Sequence, residues 1–115
     1  MASPTLAQVR TLIDDLWPES YAVSWDSVGL TVGDPAAPIS LVLLAVDPTD
    51  AIIAEAEETS ADLLLTHHPL LLRGVTTIAA DTLKGGQVTR LVRSGIAHLA
   101  AHSNADSLRG GVSDA

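Results

Sequence analysis

The chain has 115 residues, 47% of them apolar, which is enough for one domain with its own core and excludes a disordered or fibrous protein. Fourteen acidic against six basic residues give a formal charge of −8, which disfavours non-specific nucleic-acid binding and attachment to an anionic membrane. Cysteine is absent, excluding disulfides and thiolate metal sites and fitting a cytoplasmic protein; neither a secretory start nor an apolar run near the ~20 residues of a membrane span occurs.

Ser3-Pro4 reads as a helix start, and Leu6, Val9, Leu12, Ile13 and Leu16 recur at helical spacing until Trp17-Pro18 stops the pattern. In SWDSVGLTVGDP, Leu30 and Val32 alternate as in a brief strand, closed by Asp34-Pro35. Residues 39–46, ISLVLLAV, are too apolar for a half-exposed strand and predict a central one covered on both faces. Thr49 and Asp50 open a second helix, with Ile52, Ile53 and Ala56 inward and Glu55, Glu57 and Glu58 on a solvated face. A second apolar strand spans 62–66. A third helix begins between Thr82 and Gly86 and ends at Gly95, with Val88, Leu91 and Val92 as its apolar stripe; Gly85-Gly86 weakens its first turn. A third apolar strand covers 96–101. Strand–helix–strand–helix–strand with crossover connections predicts a single α/β domain over 1–115, a parallel or mostly parallel sheet of βαβ units with helices packed on it.

Ligands of open parallel sheets bind at the carboxyl ends of the strands. Each apolar strand here ends in groups able to bind metal: Asp47, then His67 and His68, then His102 with Asp106 four residues later. Adjacent side chains of an extended strand point to opposite faces, so His67 and His68 cannot share one ion within the strand; past its end they can reach two neighbouring ions. Pro69 holds His68 toward extended geometry. A lone histidine at a strand end is more often a hydrogen-bonded surface residue than a ligand, but convergence with Asp106 and His102 favours a metal site. His102 reads equally as a ligand or as an outer hydrogen-bond partner; a ligating imidazole commonly needs an outer carboxylate or carbonyl to fix its tautomer, and Asp26 or Asp47 can serve. His98, inside the third strand, reads as a satisfied or partly exposed residue without chemistry. Arg109-Gly110-Gly111 is more simply a turn than a phosphate site. Neither GxGxxG nor GxxxxGK[ST] is present.

The segments SWDSVGLTVGDP, LLAVD, ADLLLTHHPLLLRG and AAHSNADSLRGGVSDA, in that order, make the chain resemble the amino-terminal part of the GTP cyclohydrolase I type 2 homologs, the Nif-three-like dinuclear-metal proteins. The resemblance covers essentially the whole chain. It implies two divalent transition-metal ions (Zn, Mn, Fe, Co or Ni) per complete subunit and a homo-oligomer, a toroidal hexamer in the family. Carried over by position, His67 and His68 are ligands facing different ions and Asp106 of His-x-Asn-x-Asp is a third ligand. His102 matches the histidine of that segment and is an outer partner, while Asp26, in the family's Trp-Asp-x-Val-Gly-Leu signature, has a structural or rim role and is counted with His102 outside the ligand set.

Ser27, Ser103 and Ala105 stand where the family often has Asn, Thr and Leu. Family members continue further and add a histidine and a bridging glutamate from a His-x-x-x-Glu motif, which this sequence lacks. The expectation is therefore a fragment with half of a dinuclear site, whose metals are incomplete and whose exposed apolar face promotes self-association. The resemblance implies a metal-dependent hydrolase, with ions ~3.5–4 Å apart activating water against a nucleotide ring carbon or a similar electrophile. The alternatives are a non-catalytic metal-binding or scaffold protein, or an inactive half-site fragment. A nucleic-acid-binding ring conflicts with the charge.

Overall fold

Residues 3–18, 29–71 and 75–101 are described by the structure, a computed structural model. Helix α1 (Leu6–Leu16) and a short strand β1 (Gly29–Val32) precede an alternating series: β2 (Val42–Ala45), α2 (Asp50–Glu58), β3 (Leu63–Thr66), α3 (Leu83–Arg93) and β4 (Ala97–Ala100). The sheet order is β1-β4-β3-β2; β2, β3 and β4 run parallel, and β1 joins β4 antiparallel. The mixed α/β architecture follows from two crossover helices, with the brief glycine-flanked strand added as an antiparallel edge.

Side-chain alternation sorts the core into two layers. Leu64 of β3 packs with Ile53 and Ala56 of α2 and Leu91 of α3 on one face. Leu63 of β3 and Ala97 and Leu99 of β4 pack with Leu6 of α1 on the other, with Val9, Ile13 and Leu30 against them. The two central strands are β3 and β4, and every residue of β4 is buried.

The reading of 39–46 as a central strand is not met among the described residues. There Val42–Ala45 form the strand, and it lies at the edge of the four-stranded sheet with alternate residues exposed. Leu43 and Ala45 reach the α2/α3 layer, whereas Val42 and Leu44 lie on the side of α1 and stay exposed, Leu44 at 70%. An apolar run reports how much area a strand has to bury, not where in the sheet it sits.

Three local expectations also change. Thr5, not Ser3, caps α1: its hydroxyl accepts from the Gln8 amide while the Gln8 side chain accepts from the Thr5 amide, a reciprocal capping box. Pro4 lies outside the helix because its carbonyl accepts from Ile39 N–H at 2.7 Å. Glu57 is not merely solvated, since it joins α2 to α3 by accepting from Arg90 at 2.6 Å and from Ser94 at 3.2 Å. The Arg90 hydrogen bond holds the Glu57 carboxyl below its usual range. Val92 is exposed, and Gln87 takes a buried place beside Leu91 on α3.

Helix α2 starts where Thr49 caps the Ile52 amide, as its sequence predicts, and α3 starts where Thr82 caps the Gly85 amide. Gly95, at φ +67°, follows the Ser94 end of α3 and turns the chain into β4. Among the described residues no helix is long and apolar enough to cross a membrane.

Candidate metal site

Parallel pairing carries the ends of β2, β3 and β4 to one rim. The ladder continues past the strands: His67 N–H donates to Ala45 O at 3.3 Å, His68 N–H to Val46 O at 2.9 Å and Ala101 N–H to Thr66 O at 3.0 Å. Asp47, the histidine pair and Ala101 thus lie side by side, as the topology predicts. Asp26, His102, Asp106 and the stretch 109–111 lie outside the described residues.

Both half-buried histidines are oriented by groups on the neighbouring strand ends. His67 Nδ1 lies 2.9 Å from the Ala101 carbonyl. A carbonyl only accepts, so Nδ1 carries the proton and Nε2 carries the lone pair. His68 Nδ1 is hydrogen-bonded to Asp47 Oδ1, which likewise directs the proton to Nδ1. Of the two outer carboxylates expected from sequence, Asp47 therefore serves His68. An imidazole fixed through one nitrogen by a carbonyl or carboxylate is the usual arrangement of a metal ligand.

The rings stand 5.2 Å apart between centroids and are tilted by 40°. His67 lines a cavity of about 140 Å³ with Trp17, Leu65 and Ala101. His68 lines another of about 390 Å³ with Asp47, Pro69, Lys84 and Gln87. The pair thus opens onto two different spaces although the residues are adjacent in sequence.

Nitrogen donors with a supporting carboxylate fit a borderline transition metal. Among the described residues no three histidine, aspartate or glutamate side chains form a group that could hold a metal ion, so the histidine pair alone does not make a coordination sphere.

Of the two readings of His98, satisfied or partly exposed, the first holds for one nitrogen: the residue is fully buried, and its Nε2 lies 2.8 Å from Thr66 Oγ1. The Thr66 hydroxyl in turn donates to the His68 carbonyl at 2.6 Å. Burial, with a smaller contribution from the Lys84 charge, pushes the His98 pKa down to about 4. Thr66 and His98 share a face, because His98 pairs with Leu64 and Thr66 lies two residues further along β3. Alternation within 62–66 and 96–101 carried that signal once the strand register was known.

Residues 4–115 match the family model described as Duf34/NIF3 (NGG1p interacting factor 3). A GTP cyclohydrolase 1 type 2 homolog of Streptomyces coelicolor is 53% identical over 112 residues, covering 97% of this chain and 39% of the relative. The homolog of the same name from Mycobacterium tuberculosis is 51% identical over 113 residues, covering 98% and 29%. The crystal structure of a Bacillus cereus protein related to NIF3 superposes with a TM-score of 0.92 at 31% identity, covering 99% of this chain and 31% of that one. The chain spans well under half the length of these relatives. With the mixed α/β fold and nearly its whole length matched, the chain belongs to the Duf34/NIF3 family.

Proposed function

We propose that this chain carries the amino-terminal part of a dinuclear metal site, with His67 and His68 each directing Nε2 to a different ion, in a metal-dependent hydrolase. The observation that carries the reading is the paired orientation: the Ala101 carbonyl fixes one Nδ1 and the Asp47 carboxylate fixes the other. Each imidazole has the outer partner that a ligating histidine needs, and the two residues line different cavities. Bound Zn, Mn, Fe, Co or Ni ions would supply Lewis acidity, lowering the pKa of water and polarising an electrophile. The protein's part is to hold the two imidazoles in one tautomer. Asp106 is the third ligand of this reading, with His102 and Asp26 as outer partners.

The name borne by the relatives, GTP cyclohydrolase 1 type 2 homolog, supports nucleotides as the first substrate class to assay. A cysteine-free ligand set suits a reducing cytoplasm. We further assign the working form to a homo-oligomer, whose added chains or longer sequence would fill the remaining coordination positions.

The test is metal content and affinity of the untagged protein, measured by elemental analysis and competition titration. Wild type should retain transition metal, and His67→Ala and His68→Ala should each lose at least ten-fold in affinity while keeping the wild-type circular dichroism. A folded wild type that binds none of the five metals, or a doubly substituted protein that binds as well as wild type, would overturn the assignment. Hydrolysis of nucleotides that vanishes with His68→Ala separates an enzyme from a scaffold.

A further inference from the structure

We propose that His98 is a positioning residue for His68, acting through the Thr66 hydroxyl on the backbone of the candidate ligand; the inference rests on the metal-ligand reading of His68. Donor counting fixes the direction of the chain. Thr66 has one hydroxyl proton, and the His68 carbonyl, 2.6 Å away, can only accept it. Thr66 Oγ1 must then accept from His98 Nε2 at 2.8 Å, so His98 is the Nε2–H tautomer. The reverse assignment would leave the hydroxyl oxygen and the carbonyl oxygen facing each other without a proton. His98 Nδ1 is consequently the unprotonated nitrogen, and it has no hydrogen-bond partner among the described residues.

That orphan argues for a role. A buried acceptor without a partner is destabilising, and an aliphatic side chain on this strand would avoid it. Histidine at position 98 has one working group, Nε2–H, and its target is the hydroxyl that holds His68.

The handle matters because of what surrounds it. His68 N–H is already held by Val46 O, and its side chain by Asp47. Pro69 contributes no amide proton to the following peptide, so the His68 carbonyl is the remaining polar group that can be fixed. Fixing it sets the angle at which the imidazole leaves the strand end. Thr66 and His98 lie in the buried layer beneath α2 and α3, so the rigidity of the core is transmitted to an exposed rim. Support of this kind is what keeps ligating side chains within a narrow range of geometry.

The experiment compares Thr66→Val, which removes the hydroxyl at nearly constant shape, with Thr66→Ser, which keeps it, and with His98→Leu. In folded protein, Thr66→Val and His98→Leu should weaken zinc binding by about 10- to 100-fold, and Thr66→Ser should stay within a few-fold of wild type. A merely structural role would lower stability but leave the affinity of the folded fraction unchanged, and that result would overturn the proposal. Should His98→Leu fail to fold, Thr66→Val decides. Imidazole ¹⁵N resonances of the metal-free protein give a second readout. Wild type and Thr66→Ser should show His98 protonated at Nε2 and His68 at Nδ1, whereas Thr66→Val should show His68 averaging between tautomers. His98 protonated at Nδ1, or an unmoved His68 in Thr66→Val, would refute the relay. A wild type that binds no zinc defeats the metal reading alone, and the tautomers still decide the positioning.

Discussion

A histidine sealed between β3 and α3 has to remain neutral for its environment to persist, and this makes His98 a source of acid sensitivity. Its pKa is about 4 in the fold against 6.5 for the free side chain, with Lys84 of α3 adding positive charge to the cost of burial and the Thr66 hydroxyl of β3 facing Nε2. Between those values the unfolded chain binds the extra proton and the folded chain does not. Stability therefore rises with pH across that window. The contribution is complete above pH 6.5, is lost as pH falls from 6.5 towards 4, and amounts to on the order of 3 kcal/mol. Urea unfolding at pH 7 and pH 4.5 should show the loss, and His98→Leu, if folded, should flatten it. The Glu57 carboxyl, held low by Arg90, keeps its contribution above 4.5 and loses it only as pH falls below that, so a comparison of pH 7 with pH 4.5 reads His98 and not Glu57. A slope that persists unchanged in His98→Leu would assign the effect to other groups. At this scale the sequence made the common rim of Asp47, His67 and His68 legible, because strand ends are marked by where apolar runs stop. The Thr66–His98 contact was not legible, since it depends on inter-strand register, and a one-residue slip would have sent the two side chains to opposite faces.

Among the elements, α3 shows local propensity yielding to packing. A Gly85-Gly86 pair weakens a helix start by roughly 1 kcal/mol per glycine relative to alanine, yet α3 begins just before them. The reason is the chain segment laid over that turn. A Cβ on Gly85 would stand 2.0 Å from Ala79 O, 2.5 Å from Ile78 C and 2.5 Å from Thr82 Oγ1. Thr82 Oγ1 also donates to Ala79 O and caps the Gly85 amide, so the segment cannot withdraw without breaking the cap. Gly85→Ala should consequently destabilise the protein by about 1–3 kcal/mol despite its better helix propensity. At Gly86 the nearest atom to such a Cβ is Ala80 O at 3.0 Å, so Gly86→Ala should lie much nearer neutral. Thermal melts of the two variants settle the matter, and a Gly85→Ala protein melting above wild type would contradict the packing argument. The same contrast explains what was readable at this level. Both crossover helices and all three parallel strands were legible, because helical and continuous apolar patterns differ in period. The order of strands across the sheet was not, because period carries no information on neighbours.

At the scale of the whole molecule, two of its apolar surfaces remain open. Leu44 is 70% and Val46 59% exposed along β2, whose outer edge pairs with no strand among the described residues; on α1, Leu12 is 63% and Leu16 59% exposed. An unpaired edge with apolar side chains is a template for association, and β2 carries none of the lysine or proline that usually blunts one. The net charge of −8 opposes contact between copies, because like charges repel over roughly 8 Å at physiological ionic strength. The two effects respond oppositely to salt, which makes them separable. We expect sedimentation velocity to show concentration-dependent self-association that strengthens from low to moderate salt as the repulsion is screened. Leu44→Lys should shift the protein toward monomer at equal concentration, by charging the edge and removing its most exposed leucine. Association that weakens with salt would instead indicate ion pairs between copies. A wild type monomeric at every concentration and salt would mean that the edge is protected in some other way.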